Sequence, residues 1–378
     1  MVQFGLEFLQ EKDEENNGLA RLGLLHTAHG DVHTPCFMPV GTVAAMKAMH
    51  FDQLRDTGAE IMLCNTYHLM IQDRYNTIYK MGGLHKFMNW NKPILTDCGG
   101  FQAMSLSSLN KITEKACTFR CHLSGQKHEL TPEFSMEIQY KLDTDITMAL
   151  DECVRQPADY KYTKRAMERS LRWAQRSKDA FVKRDGYGLY GIVQGGADKE
   201  LRTKSIEGLK KIGFDGYAIG GDLSINDGWE LMFSVLDYLT PMMPEDKPRY
   251  LMGVGKPIDI VGSALRGVDQ FDCVLPARSG RNGQAFVRGG TINIKNAKYK
   301  YDESPLDEKC NCRACKQHTK AYLHHLFKAD EILGAMLLTE HNIMYYQDLM
   351  RGIRKAIQEH RYKKFVEEFM KNGAVDLY

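Results

Sequence analysis

Short apolar runs recur along the chain, each closed by a polar residue or a glycine and followed by a longer helical or looped stretch. Eight such runs can be read, at 34–41, 60–65, 93–97, 145–151, 188–194, 215–220, 249–253 and 268–275. Between them, 163–183 carries Ala166, Met167, Leu171, Trp173, Ala174 and Phe181 among interleaved basic residues, the spacing of a helical face. The segments 230–238 and 258–266 read the same way. Strands alternating with helices predict an α/β fold with a parallel sheet. Eight of them over about 250 residues have the size of a (β/α)8 TIM barrel. A doubly wound sheet is the rival. The polar positions favour the barrel: Asn65, Asp97, Asp151, Gln194 and Asp272 fall at or near strand C-termini, with Gly220-Gly221 and Gly253 in equivalent places. A barrel builds its active site at that face, from several strand ends. The stretch 101–138 is long for one connection and contains polar, strand-prone pieces, which predict a hairpin insertion between the third and fourth barrel strands.

Two local patterns bear chemistry. In the run from Gln270 to Gly283, Asp272 ends a strand, and turn-forming residues after it carry Arg278 and Arg281. A carboxylate at a strand mouth can be a nucleophile, and arginines beyond it can hold phosphates or bases; the bland alternative is a strand-ending aspartate with solvated arginines. The second pattern is Cys310-Asn311-Cys312-Arg313-Ala314-Cys315, followed by a helical stretch with Glu340-His341-Asn342. Three thiolates and a histidine returned by a helix can complete a tetrahedral zinc shell, and a closed four-ligand shell is structural. His318, His324 and His325 compete with His341 for the fourth place. The division expected is a catalytic barrel over 1–290 and a zinc-binding subdomain with C-terminal helices over 291–378.

Charge and composition narrow the rest. The formal net charge of the 378 residues is +2, so there is no global polyanion-binding signature and any nucleic-acid surface must be local. Ten cysteines without a signal peptide point to a reducing compartment rather than a disulfide framework. The polar, acidic first fifteen residues lack a signal-peptide core, and no run reaches the length of a membrane span. A cytoplasmic protein is expected.

Thr96-Asp97-Cys98-Gly99-Gly100-Phe101-Gln102, Val193-Gln194-Gly195-Gly196, Gly216-Tyr217-Ala218-Ile219-Gly220-Gly221 and the Asp272 run together resemble the tRNA-guanine transglycosylase family, in that family's order and over nearly the whole chain. The cysteine cluster with His341 resembles its structural zinc site. The resemblance implies base exchange at the wobble guanine of tRNA with a GUN anticodon. Replacing one base by another at C1′ with retained configuration calls for double displacement. It implies Asp272 as nucleophile and Asp97 as general acid/base; a turn cap onto Gly99 and Gly100 is the alternative for Asp97. It further implies that Asp151, Gln194 and the Gly221 N–H bind the base, with Phe101 and Met252 sandwiching the ring. Arg278 and Arg281 match arginines that read flanking bases, and Lys256 matches a phosphate contact. Lys295, Lys298, Lys300, Lys316 and Lys320 give the zinc lobe a basic face for tRNA. A homodimer is implied as well.

The chain departs from the family in two places. Cys98 stands where serine is usual, a near-isosteric change in the base pocket. After Gly221 the sequence from Asp222 to Asp227 is one residue longer than the bacterial pattern. Asp151-Glu152-Cys153 and a bulky Ile225 favour the 7-deazaguanine preQ1 over queuine as incoming base. Ending at Tyr378, without an RNA-binding extension, favours the anticodon as target. A noncatalytic accessory subunit and a hydrolase using the same carboxylates are the competing functions.

Overall fold

The computed structural model describes residues 2–106, 110–155, 157–221, 223 and 228–372. Eight parallel strands form the centre: β1 (Cys36–Met38), β2 (Met62–Cys64), β3 (Ile94–Thr96), β4 (Ile146–Met148), β5 (Gly188–Val193), β6 (Gly216–Ile219), β7 (Arg249–Leu251) and β8 (Gln270–Asp272). They run in the order β1-β8-β7-β6-β5-β4-β3-β2. A parallel bridge from Val40 to Leu63 brings the two ends together, with Leu63 N–H donating to Pro39 O at 2.9 Å. The sheet therefore closes, and the doubly wound alternative falls away. Every strand lies within one of the expected runs, because strands buried on both faces read as nearly continuous apolar segments.

The helices packed outside keep the predicted phases, and their caps explain the differences at the ends. Helix Tyr160–Ala180 begins earlier than expected because Asp159 accepts the Tyr162 N–H at 3.1 Å. It stops before Phe181, whose backbone is extended, so that residue lies beyond the helical face to which its spacing assigned it. Helix Pro257–Leu265 starts on a proline, whose missing N–H costs nothing at a helix N-terminus.

Three additions decorate the barrel. Antiparallel strands Gly5–Phe8, Gly23–Thr27 and Gly30–Thr34 lie at its N-terminal end, where no strand before residue 34 was expected. The Phe4 ring meets Tyr190 edge-on at 6.2 Å. A Cβ at Gly188 would lie 2.4 Å from that ring, so only glycine admits it. The insertion after β3 is a three-stranded antiparallel sheet rather than one hairpin: Asn110–Ile112, Cys117–Arg120 and Lys127–Leu130. Its first strand is an edge with two exposed polar residues, which left no apolar signal in the sequence.

The third addition is the C-terminal region, whose spine is the 27-residue helix Ile332–Gln358. It lies against the short helix Leu275–Arg281 so closely that a Cβ at Gly280 would be 2.8 Å from the Thr339 backbone nitrogen. Buried Asn342 locks the pair: its amide donates to Pro276 O and Gln284 O, and its oxygen accepts from Phe286 N–H, each at 2.9 Å. Among the described residues no helix is long and apolar enough to cross a membrane.

Candidate active site

The C-terminal ends of the barrel strands carry a ring of polar groups, and each is held by its neighbours. Asp97 follows β3 and is buried. One oxygen accepts from Asn65 Nδ2 at 2.6 Å and the other from the Thr66 N–H at 2.8 Å, both supplied by the residues just after β2. Its side chain therefore does not cap the following helix, Gly100–Ser105, whose N-cap is Gly99 at φ 82°. Burial raises the Asp97 carboxyl to about 6, against the pull of Asn65 and Thr66, and the charge of Asp272 raises it further. That coupling brings the ends of β3 and β8 into one site.

Asp272 is the last residue of β8. Its Oδ1 accepts from the buried Tyr250 hydroxyl, inside β7, at 2.5 Å and from the Gly253 N–H, just beyond β7, at 2.7 Å. Burial raises this carboxyl as well, opposed by the two donors. Both donors meet the same oxygen, Oδ1, which is thereby held in place. Tyr250 went unnoticed in the sequence, where it reads as one apolar residue of a short strand.

A second carboxylate cluster lies beside the first. Asp151 accepts from Cys98 Sγ at 3.1 Å and from Gln194 Nε2 at 2.6 Å. Burial raises its pKa, and those two hydrogen bonds lower it. Burial and the Asp151 and Asp97 charges hold the Cys98 thiol well above its ordinary range, so it stays a donor. Gln194, expected to donate to a ligand carbonyl, instead spends one N–H on Asp151 and keeps its second. Gly221 has φ 97°, and a Cβ there would meet Arg202 Nη2 at 2.8 Å. Phe101 is 47% exposed on the first turn of its helix, free to stack, and Met252 is partly buried after β7. Ile225 and the loop 222–227, apart from Leu223, lie outside the described residues.

Arg202 is a second residue that sequence reading missed. Fully buried, it donates to the carbonyls of Gly196 (2.6 Å), Val193 (3.1 Å) and Gly220 (2.8 Å), tying the ends of β5 and β6 together. Desolvation lowers its pKa to about 10. A signal was present: 202 falls in phase with the buried positions Ser205, Ile206 and Leu209 of helix Lys199–Ile212.

Arg278 and Arg281 do not lie on a loop. They are one turn apart on helix Leu275–Arg281, because Pro276 starts a helix as readily as it starts a turn. Arg278 is exposed; partial burial and the Arg278 charge lower the Arg281 pKa. Lys256 is the exposed N-cap residue of helix Pro257–Leu265. Of the lysines expected to give the C-terminal region a basic face, Lys320 is engaged with Ser304 at 2.8 Å, and Lys295 lies over the Phe327 ring.

The Cys310, Cys312, Cys315 and His341 side chains are all buried and converge. His341 Nδ1 lies 3.6, 3.4 and 3.3 Å from the three sulfurs in turn, near the edge length of a tetrahedron with bonds of about 2.0–2.3 Å. Its Nε2 faces Phe286 O at 2.8 Å, which fixes the tautomer that leaves Nδ1 as the ligand. His324 is turned to Ile294 O, and His318 stacks on Tyr322. The donor set fits one metal ion.

Over residues 15–374 the chain matches the sequence model of the family described as "Queuine tRNA-ribosyltransferase". It is similar to proteins of that name from Rickettsia typhi (58% identical over 339 residues, 90% of this chain and 94% of the relative). The Ruegeria sp. protein is 54% identical over 358 residues, 95% of each chain.

Proposed function

This chain belongs to the queuine tRNA-ribosyltransferase family, and on that premise we propose how its residues exchange a tRNA base. It is an enzyme, a tRNA-guanine transglycosylase acting in queuosine biosynthesis. The free oxygen of Asp272 attacks C1′ of the wobble nucleotide in a GUN anticodon, forming the ribosyl-aspartate ester as the C1′–N9 bond breaks. Asp97 gives the departing guanine a proton. The incoming 7-deazaguanine then loses its N9 proton to Asp97 and displaces Asp272 from C1′, which returns both carboxyls to their starting states. The observation that carries this reading is the pair of carboxylates at neighbouring strand ends, Asp272 pinned by Tyr250 and Gly253 and buried Asp97 with a pKa raised to about 6. A proton donor and acceptor works best with its pKa near ambient pH.

Asp151, the second N–H of Gln194 and the Gly221 backbone hold the base between Phe101 and Met252. The Arg278 and Arg281 face, with Lys256, takes the flanking anticodon bases and phosphates. Cys310, Cys312, Cys315 and His341 hold a zinc ion, which supplies structure rather than a reactive position. The assembly is a homodimer, one subunit catalysing while the other steadies the tRNA. PreQ1 is the preferred incoming base. Queuine, which the relatives' names carry, is the second reading.

The test uses tRNA with radiolabelled guanine at the wobble position, incubated with preQ1, with queuine or with neither. Release dependent on an added base is expected, faster with preQ1. Release without a base would mean hydrolysis, and no release from folded, metal-loaded protein would mean an accessory subunit. A covalent adduct trapped with Asp272→Ala would remove the nucleophile from its role.

A further inference from the structure

Glu152 is a buried acid to which base exchange, as set out above, gives no task. It follows Asp151 on the segment beyond β4, and its side chain is wholly excluded from solvent. A carboxylate is retained inside a protein only where partners hold it. Glu152 has two: Oε1 accepts the Tyr162 hydroxyl at 3.0 Å, and Oε2 accepts from Arg169 Nη1. Both partners belong to helix Tyr160–Ala180, about two turns apart and so on one face of it.

The same helix also holds the main chain. Buried Ser177 Oγ accepts the Leu150 N–H at 3.1 Å, and buried Ser170 Oγ accepts the Glu152 N–H at 2.9 Å. These two serines are again two turns apart. The residues on either side of Asp151 are thus fixed to one rigid element, one through its backbone and the other through backbone and carboxylate together.

Asp151 itself turns the other way, to Cys98 and Gln194. Its carbonyl oxygen has little slack, since a Cβ at Gly100 would lie 2.8 Å from it. On the outer side the clamp continues into the insertion. Arg169 Nε lies 3.6 Å from Glu114 Oε2, in the turn between strands Asn110–Ile112 and Cys117–Arg120. Glu114 also takes Arg172 Nε at 2.6 Å and Nη2 at 2.9 Å, and its carbonyl accepts from Trp173 Nε1 at 2.8 Å. One helix therefore braces the insertion turn and the segment carrying Asp151 as a single body, with Arg169 between the two acids.

We propose that Glu152 is a positioning residue for base recognition: clamped by Tyr162 and Arg169, it fixes the direction in which Asp151 presents its carboxylate to the purine-like ring. The inference rests on the reading of Asp151 as a group that holds the base. A carboxylate aimed in advance spends no ordering entropy when the base arrives, so loosening the clamp weakens base binding without touching the groups at C1′.

The test follows exchange of radiolabelled guanine into tRNA with a GUN anticodon, since the leaving base can return by the reverse of its departure. Glu152→Gln keeps the shape and an acceptor for Tyr162, and Arg169 retains Glu114. KM for guanine is expected to rise about tenfold, with kcat and the KM for tRNA within about twofold of the parent, because lost ground-state binding raises KM alone. Tyr162→Phe, at a half-exposed side chain, removes one of the two bonds and should raise the same KM about threefold, with the same split. Circular dichroism checks folding, and Tyr162→Phe decides alone if Glu152→Gln does not fold. Asp151→Ala, run alongside, separates the two readings. If it raises KM for guanine while the folded clamp variants leave it unchanged, the clamp is overturned and Asp151 keeps its role. If it leaves KM unchanged, both are overturned. Losses in kcat with KM for guanine unmoved would also overturn the proposal, leaving Glu152 a structural residue only.

Discussion

Replacing Asp97 by asparagine is expected to stabilise this protein while disabling it. Burial raises the Asp97 carboxyl from 3.8 to about 6 in the folded state. A folded pKa above the unfolded one means that the folded chain binds the proton more tightly. The stabilisation from this group is complete below about pH 4 and is lost as pH rises through 6. At about 1.4 kcal/mol for each tenfold change in the proton equilibrium, the ionised carboxylate costs on the order of 3 kcal/mol at pH 7. Asparagine carries no charge to bury. Its oxygen can keep the Thr66 N–H, and Asn65 can turn its amide to present oxygen to the new nitrogen. Urea denaturation of parent and variant from about pH 4.5 to 7.5 isolates the effect, since groups common to both cancel. The variant's advantage should be small at the acid end and grow to about 2–3 kcal/mol at neutrality, while base exchange falls about 10²- to 10⁴-fold. An advantage that stays flat across the range would refute the claim that desolvation sets this group's proton affinity.

Gly221→Ala should raise KM for the incoming base about tenfold and lower stability by about 1–3 kcal/mol, because the backbone is at φ 97° and the new methyl meets Arg202 at 2.8 Å. Steady-state kinetics with the base varied would expose an unchanged KM and end that argument. Arg278→Ala should weaken tRNA binding and reduce the slope of log affinity against log salt by about 1, with KM for the base unmoved. Cys312→Ser should lower the zinc content and the melting temperature together; unchanged metal content would remove Cys312 from the ligand set.

The barrel was legible because its strands are buried on both faces, so each wrote a short apolar run closed by a polar residue. The eight runs needed no knowledge of partners to be seen. What holds the polar residues did need it. Tyr250 reaches Asp272 across neighbouring strands, and Arg202 reaches three carbonyls from a helix, contacts that exist only once the barrel has closed. Gln194 and Asp151 could be placed at strand ends, yet that they bond each other is a property of adjacent strands rather than of either segment. The arginines after Asp272 show the reverse limit. Leu-Pro-Ala-Arg-Ser-Gly satisfies turn chemistry locally, and only packing against helix Ile332–Gln358 makes it helical. The N-terminal sheet was missed because its strands are short and partly exposed, a signal weaker than that of the barrel.

His341 and Asn342 are consecutive on one long helix, so their side chains leave its axis about 100° apart. The first turns into the thiolate cluster, and the second bonds Pro276 at the start of the arginine-bearing helix and Gln284 in the strand that follows it. Gly280 removes the one side chain that would pry the two helices apart. An ion held there would thus serve as the footing of the helix that carries Arg278 and Arg281, the residues proposed to meet the nucleic acid. Metal starvation would then act as a clutch: the barrel keeps its carboxylates aligned, while the surface that must seat an anticodon beside them slips out of register.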